Sequence, residues 1–204
     1  MLQEEFGSLL PEKGNTYLKK VQNATERMFA MIEGVLTYST LNAADQPIEL
    51  IDLNEIIENI ETDLEVLIHQ KNGVVQKLNN LPSIEGASVL IYQLFYNLIN
   101  NALKFSKIGE PPVIQISAVS VTAEMLAIVV SDNGIGLDPE YIDKIFETFS
   151  RLNAKDAYEG TGLGLALCKR IAERHHGTIK ASGVKGEGAS FTISIPIKQP
   201  LKTI

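Results

Sequence analysis

Asn97-Leu-Ile-Asn-Asn101-Ala-Leu-Lys104 is a stretch whose polar and apolar side chains sort by helical spacing. Asn97, Asn101 and Lys104 stand at i, i+4 and i+7, which puts them on one face of a helix. Leu98, Ile99, Ala102 and Leu103 are left to face a core. The stretch lies within a strongly apolar run, residues 86–106, that reads as one long helix. Three further motifs follow in order: Asp132-Asn-Gly-Ile-Gly136, Phe146-Glu-Thr-Phe149 and Gly160-Thr-Gly-Leu-Gly164. Singly they are weak. Two Asn on a helix are commonly caps or surface residues, and Asp-Asn-Gly is most often a turn; their meaning comes from their company.

The pattern on either side sets the fold class. A short strand, Ile48–Ile51, precedes Asp52, which can cap a helix from Leu53 to about Lys71. Gly73 breaks that helix, and 74–78, 113–119 and 125–131 read as strands, the last ending at Asp132. Short helical pieces and a polar loop fill 138–160, a clear helix spans 161–175, and strands at 178–182 and 189–195 finish the unit. Because the late strands come in helix-free pairs, the order fits an α/β two-layer sandwich better than a doubly wound sheet. Its sheet is mixed and largely antiparallel, with helices on one face. Residues after Pro196 read as a loose tail.

Upstream, residues 2–10 can form two helical turns before Pro11 and Gly14. From Asn15 or Thr16 to about Leu41, Leu18, Val21, Met28, Ile32 and Val35 follow a three-and-four spacing. One helix cannot bury such a stripe alone, so a partner helix or a second subunit is expected; packing on its own domain is the plainer alternative. The chain thus divides into a helical segment 1–46, a main domain 47–197 and a tail 198–204.

The four motifs supply amides, a carboxylate, a lysine and flexible backbone, the parts needed to hold ATP and a divalent ion. An amide oxygen can join phosphate oxygens around Mg²⁺, and Lys104 sets a mobile positive charge against the same phosphates. Asp132, at a strand end, can accept a hydrogen bond from the adenine amino group, a base-selective contact. Asn133 can support the turn, and Gly134 and Gly136 permit close backbone approach. Gly160, Thr161, Gly162, Leu163 and Gly164 open a helix whose first N–H groups can meet phosphates. The last motif follows a loop instead of a strand, which argues against a dinucleotide fingerprint, and it lacks the Gly-Lys-Ser/Thr ending of a Walker A loop. Residues 138–159 are long enough for a movable lid, with Phe146 and Phe149 as anchors and Arg151 reaching the phosphates on closure. A plain core role for both Phe residues fits equally well.

Composition narrows the partners. A formal net charge of −7 without a basic-aromatic patch argues against nucleic acid and anionic membranes. Seven Phe, six Tyr and no Trp imply a core of Ile, Leu, Val and Ala. The lone Cys168 sits in an apolar helical run and reads as packing; with no possible disulfide framework, a reducing compartment is favoured. No apolar run reaches the roughly 18–20 residues needed to span a bilayer, so a soluble, cytoplasmic chain is expected, compatible with a membrane segment upstream in a longer parent. His175 and His176 read as helix-end packing or capping, and His69 is isolated.

On these residues the chain resembles the ATP-binding region of sensor histidine kinases, in the wider group shared with gyrase, Hsp90 and MutL. Asn97–Lys104 is similar to their N box, Asp132–Gly136 to the G1 box, Phe146–Phe149 to the F box and Gly160–Gly164 to the G2 box. The resemblance implies a Bergerat-type fold, Asn101 as main Mg²⁺ ligand with Asn97 nearby, Lys104 as phosphate contact and Asp132 as adenine reader. Residues 15–41 resemble the second helix of the kinase dimerisation and phosphotransfer domain, implying a helical-hairpin remnant and a homodimer through this segment. The expected histidine motif of the first helix is not found; residues 1–10 look like the end of that helix. The implied function is transfer of the ATP γ-phosphoryl group to a histidine of a phosphoacceptor helix absent from this chain, and onward to a response regulator receiver domain. Self-labelling is not expected. Two alternatives stay open: a nucleotide-dependent interaction module, and a protein-serine kinase of the anti-sigma type, for which residues 15–41 are the discriminating feature.

Overall fold

The computed structural model describes residues 11, 13–21, 24, 25, 28, 32, 46–142, 144–148 and 162–200. The elements of the main domain are β1 (Glu49–Asp52), α1 (Leu53–Asp63), α2 (Glu65–Gln70), β2 (Val74–Lys77), β3 (Ser83–Gly86), α3 (Ser88–Lys104), β4 (Val113–Ser120), β5 (Met125–Asp132), α4 (Gly164–Arg174), β6 (Thr178–Val184) and β7 (Gly188–Pro196). Two 3-10 turns, Pro139–Tyr141 and Lys144–Phe146, lie between β5 and α4.

The main sheet has the order β2-β4-β5-β7-β6. Only β2 and β4 run parallel; every other neighbour pair is antiparallel. A separate antiparallel pair joins β1 to β3. Strict alternation along β5 and β7 sends Leu126, Ile128, Val130, Phe191, Ile193 and Ile195 to one face, where all are buried. Against that face lie Ile57 and Ile60 of α1, Leu94, Leu98, Ile99 and Leu103 of α3, and Cys168, Ile171 and Ala172 of α4. Each large aliphatic side chain removed from water contributes about 1.5–3 kcal/mol before conformational entropy is subtracted. The core is aliphatic, with Phe95 the one aromatic side chain among the largest fully buried of the described residues. This is the two-layer sandwich expected, with a mixed, largely antiparallel sheet.

Asp52 caps α1 as expected, its carboxylate accepting the Asn54 N–H at 2.8 Å. The single helix expected over 53–71 is instead two, interrupted at Leu64. The four-residue strand β3 is missed by the sequence reading, because its pairing with the distant β1 decides it. Where a loose tail is expected after Pro196, the Ile197 carbonyl accepts the Glu85 N–H at 2.8 Å, and the Gln199 N–H donates to the Glu85 carboxylate at 3.0 Å. The first residues of that tail thus run along β3.

In the upstream segment, residues 13–21, 24, 25, 28 and 32 are helical. Val21, Met28 and Ile32 of the apolar stripe are exposed. The expected helix over 2–10 and residue Val35 lie outside the described residues.

Candidate nucleotide site

Helix α3 is apolar on two sides and polar on the third. Leu98, Ile99, Ala102 and Leu103 are buried, while Asn97, Asn101 and Lys104 are half-buried along the remaining face. The start of α4 comes up to this face. A Cβ on Gly164 would lie 3.5 Å from Asn97 Oδ1 and 4.0 Å from Asn101 Nδ2. Glycine there leaves room between the first turn of α4 and the two amides. Asn97 Nδ2 is buried and finds no hydrogen-bond partner among the described residues. An orphaned buried donor costs about 1–3 kcal/mol, so Asn97 Nδ2 is open to a partner from a water or a ligand. Lys104 follows one turn on, with Nζ 4.6 Å from the centre of the Phe105 ring.

The loop after β5 closes the other end. Asp132 Oδ1 accepts the N–H groups of Gly134 (2.8 Å) and Ala189 (3.3 Å). Among the described residues Oδ2 has no such bond. Burial raises the Asp132 carboxyl above the usual carboxylate range, and the two N–H donors act against that rise. Asn133 supports the turn as expected: its Oδ1 accepts the Val113 N–H at 2.8 Å and its Nδ2 donates to the Pro111 carbonyl at 3.0 Å. Gly136 has φ 73°, and a Cβ there would fall 1.9 Å from the Val184 carbonyl oxygen. The loop is therefore wedged against the β6–β7 hairpin.

Phe105 joins the two ends. Its carbonyl accepts the Ile135 N–H at 3.0 Å, and a Cβ on Gly134 would lie 2.6 Å from the same oxygen. The residue after Lys104 is thus bonded to the Asp132 loop. Gly162 has a left-handed φ of 74°, and Leu163 is buried at the entry to α4. Phe146 packs against the core, in line with the plain core role. Phe149, Arg151, Gly160 and Thr161 lie outside the described residues.

The donor set suits a nucleotide carrying its own metal ion. Among the described residues, no group of three His, Cys, Asp or Glu could hold an ion. An ion here would be held by the amide oxygens of Asn101 and Asn97 together with phosphate oxygens, a hard-oxygen set appropriate to Mg²⁺.

The family described as "Histidine kinase-, DNA gyrase B-, and HSP90-like ATPase" matches residues 86–199, which include α3, the Asp132 loop and α4. The chain belongs to this family. Its ATP-binding domain is homologous to those of sensor histidine kinases. Phytochrome-like protein Cph1 of Synechocystis sp. is 31% identical over 97% of the chain and 26% of its own length. Sensor histidine kinase WalK of Bacillus subtilis is 32% identical over 90% of the chain and 31% of its own length. The chain therefore spans about a quarter to a third of these curated relatives. Among solved structures, the catalytic domain of histidine kinase ThkA superimposes with a TM-score of 0.63 at 27% identity, covering 74% of this chain and 99% of that one.

In this ATPase domain, sequence reasoning missed the residues that act through backbone. The Ala189 N–H on Asp132 is one, and the Phe105 carbonyl is another. For Ala189 a signal exists in Gly186-Glu-Gly188-Ala, a tight hairpin beside two strands; for Phe105 there is none, since any residue has a carbonyl. No described helix is long and apolar enough to cross a membrane.

Proposed function

We propose that the chain is the ATP-binding catalytic portion of a two-component sensor histidine kinase, passing the γ-phosphoryl group of ATP to a histidine outside these 204 residues. The observation that carries this reading is the meeting of α3 and α4, with Gly164 clearing space beside Asn97 and Asn101. Asp132, at the far end of the same site, selects adenine through its open Oδ2. Asn101, with Asn97 beside it, would hold a magnesium ion, which when bound withdraws charge from the phosphate oxygens. Lys104 sets its ammonium against the phosphates, and the N–H groups at the start of α4 add to the positive field. Residues 138–159, with Arg151, are the proposed lid. Such chemistry is mainly positioning and charge stabilisation.

The three histidines of the chain are poor acceptors. His175 is buried with both ring nitrogens bonded. His69 stands exposed on α2 with Nε2 3.7 Å from the Glu65 carboxylate, and His176 sits in a left-handed turn at the end of α4. The acceptor is proposed to be a histidine on the helix that precedes residues 15–41 in the whole kinase, and those residues to pair subunits through Val21, Met28 and Ile32. ThkA has been solved in complex with the response regulator protein TrrA, which supports a receiver domain as the next partner.

Calorimetric titration with ATP and Mg²⁺ tests the nucleotide site, with Asp132→Asn and Asn101→Ala as controls. Radiolabelled ATP with a histidine-bearing helical domain then tests transfer in trans. Binding lost in both variants, and acid-labile label on the added domain only, is the expected outcome. Label retained by the chain itself, or no binding at all, overturns the reading.

A further inference from the structure

We propose that Lys71 is a positioning residue for Lys104, holding the last turn of α3 from outside the motifs. The inference rests on the nucleotide-binding reading above. Helix α2 stops at Gln70, and Asn72 takes a left-handed φ of 50° while the Gly73 N–H reaches back to the Ile68 carbonyl at 2.8 Å. This ending presses the turn onto α3: a Cβ on Gly73 would lie 3.0 Å from the Pro112 ring and 3.3 Å from the Leu103 side chain. From there Lys71 Nζ donates to the Leu103 carbonyl at 2.7 Å and to the Ser106 hydroxyl at 3.0 Å.

These acceptors bracket Lys104 and Phe105. Leu103 is in the last turn of α3, where a helix leaves its carbonyls without intrahelical donors. The ammonium of Lys71 supplies the missing donor and places a positive charge at the negative end of the helix dipole. By also gripping Ser106, it pins the chain on both sides of the phosphate-directed lysine and of the carbonyl that holds Ile135. Without it the turn at 103–106 is free to fray, and the Lys104 ammonium loses its fixed origin. Lys71 lies 26 residues before the first motif residue, Asn97, so no local pattern marks it.

The test uses the complete chain. Lys71→Met removes the charge at nearly constant length; Mg²⁺–ATP affinity is measured by calorimetry, alone and combined with Lys104→Ala, alongside thermal unfolding. Expected is an affinity loss of about tenfold for Lys71→Met that shrinks below about twofold in the Lys104→Ala background, where nothing is left to position. Unchanged affinity, or an equal loss in both backgrounds, overturns the proposal and leaves Lys71 a plain structural clamp. Should Lys71→Met not fold, Ser106→Ala removes one of the two acceptors and carries the same cycle, with a smaller loss that must again vanish beside Lys104→Ala. Absence of binding by the unaltered chain would sink the nucleotide reading itself, and with it this proposal.

Discussion

His175 Nε2 accepts the backbone N–H of Ala87 at 3.0 Å, and its Nδ1 lies 2.8 Å from the Ile171 carbonyl. Since Nε2 is the acceptor, the ring proton sits on Nδ1 and is donated to Ile171. The ring is neutral, buried and satisfied at both nitrogens. It ties the end of α4 to the start of α3, the two helices whose opposite regions form the site. Replacing it with Phe keeps bulk but strands the Ala87 N–H, which should cost about 1–3 kcal/mol. Urea denaturation checks this; an unchanged midpoint would show that the bond contributes nothing net.

The same bond makes stability depend on pH. Burial lowers the His175 pKa below the ordinary value. Between the folded and unfolded values the unfolded chain therefore binds more protons, so stability rises with pH there. The contribution is complete above about 6.5 and is lost as pH falls from there through the lower folded value. The urea midpoint of the unaltered chain should drop from pH 7.5 to pH 5.5 by more than that of His175→Phe; equal slopes contradict it.

Asp132 shows the reverse sign. Burial raises its pKa, so the folded chain binds more protons between the usual carboxylate value and the raised one, and stability falls as pH rises through that window. Asp132→Asn keeps an oxygen for the Gly134 and Ala189 N–H groups while removing a partly desolvated charge. The variant should be as stable as the parent or more so at pH 7, yet bind ATP at least about tenfold more weakly. A joint loss of thermal stability and binding would mean that the carboxylate is structural.

Two glycines separate strain from crowding. Gly109 and Gly136 both have left-handed φ, 83° and 73°, but a Cβ at Gly109 meets nothing within 4 Å while one at Gly136 strikes the Val184 carbonyl at 1.9 Å. Gly109→Ala should cost about 1–2 kcal/mol, the strain alone. Gly136→Ala should cost clearly more and impair ATP binding. Similar thermal midpoints for the two variants would refute the wedge against the hairpin.

Gly164→Ala probes the space between α4 and the two asparagines. The new methyl would make ordinary contact with Asn97, and alanine favours a helix by up to about 1 kcal/mol over glycine. Stability should hold or rise while affinity for Mg²⁺–ATP falls several-fold. Calorimetry and a thermal melt on one sample decide it; undiminished affinity would mean that this gap is not where the nucleotide lies.

Helical spacing from Asn97 to Lys104, the alternation in β5 and β7 and the cap at Asp52 were all legible in the amino-acid order, because each depends on neighbours within one or two turns. The polar face of α3 and the glycines of the Asp132 loop were legible for the same reason. The short β3 and the docking of Ile197 and Gln199 on Glu85 were not, since long-range pairing decides them, and no Gly or Pro marks the break at Leu64. By itself the sequence determined the family, the layer order and which polar side chains share one face of α3. Only the tertiary structure decided that the Phe105 carbonyl joins the two ends of the site, that Ala189 holds Asp132, and that Lys71 and His175 brace the helices. Those contacts use backbone groups, or side chains tens of residues away, and become specific only when packing brings them within hydrogen-bonding distance.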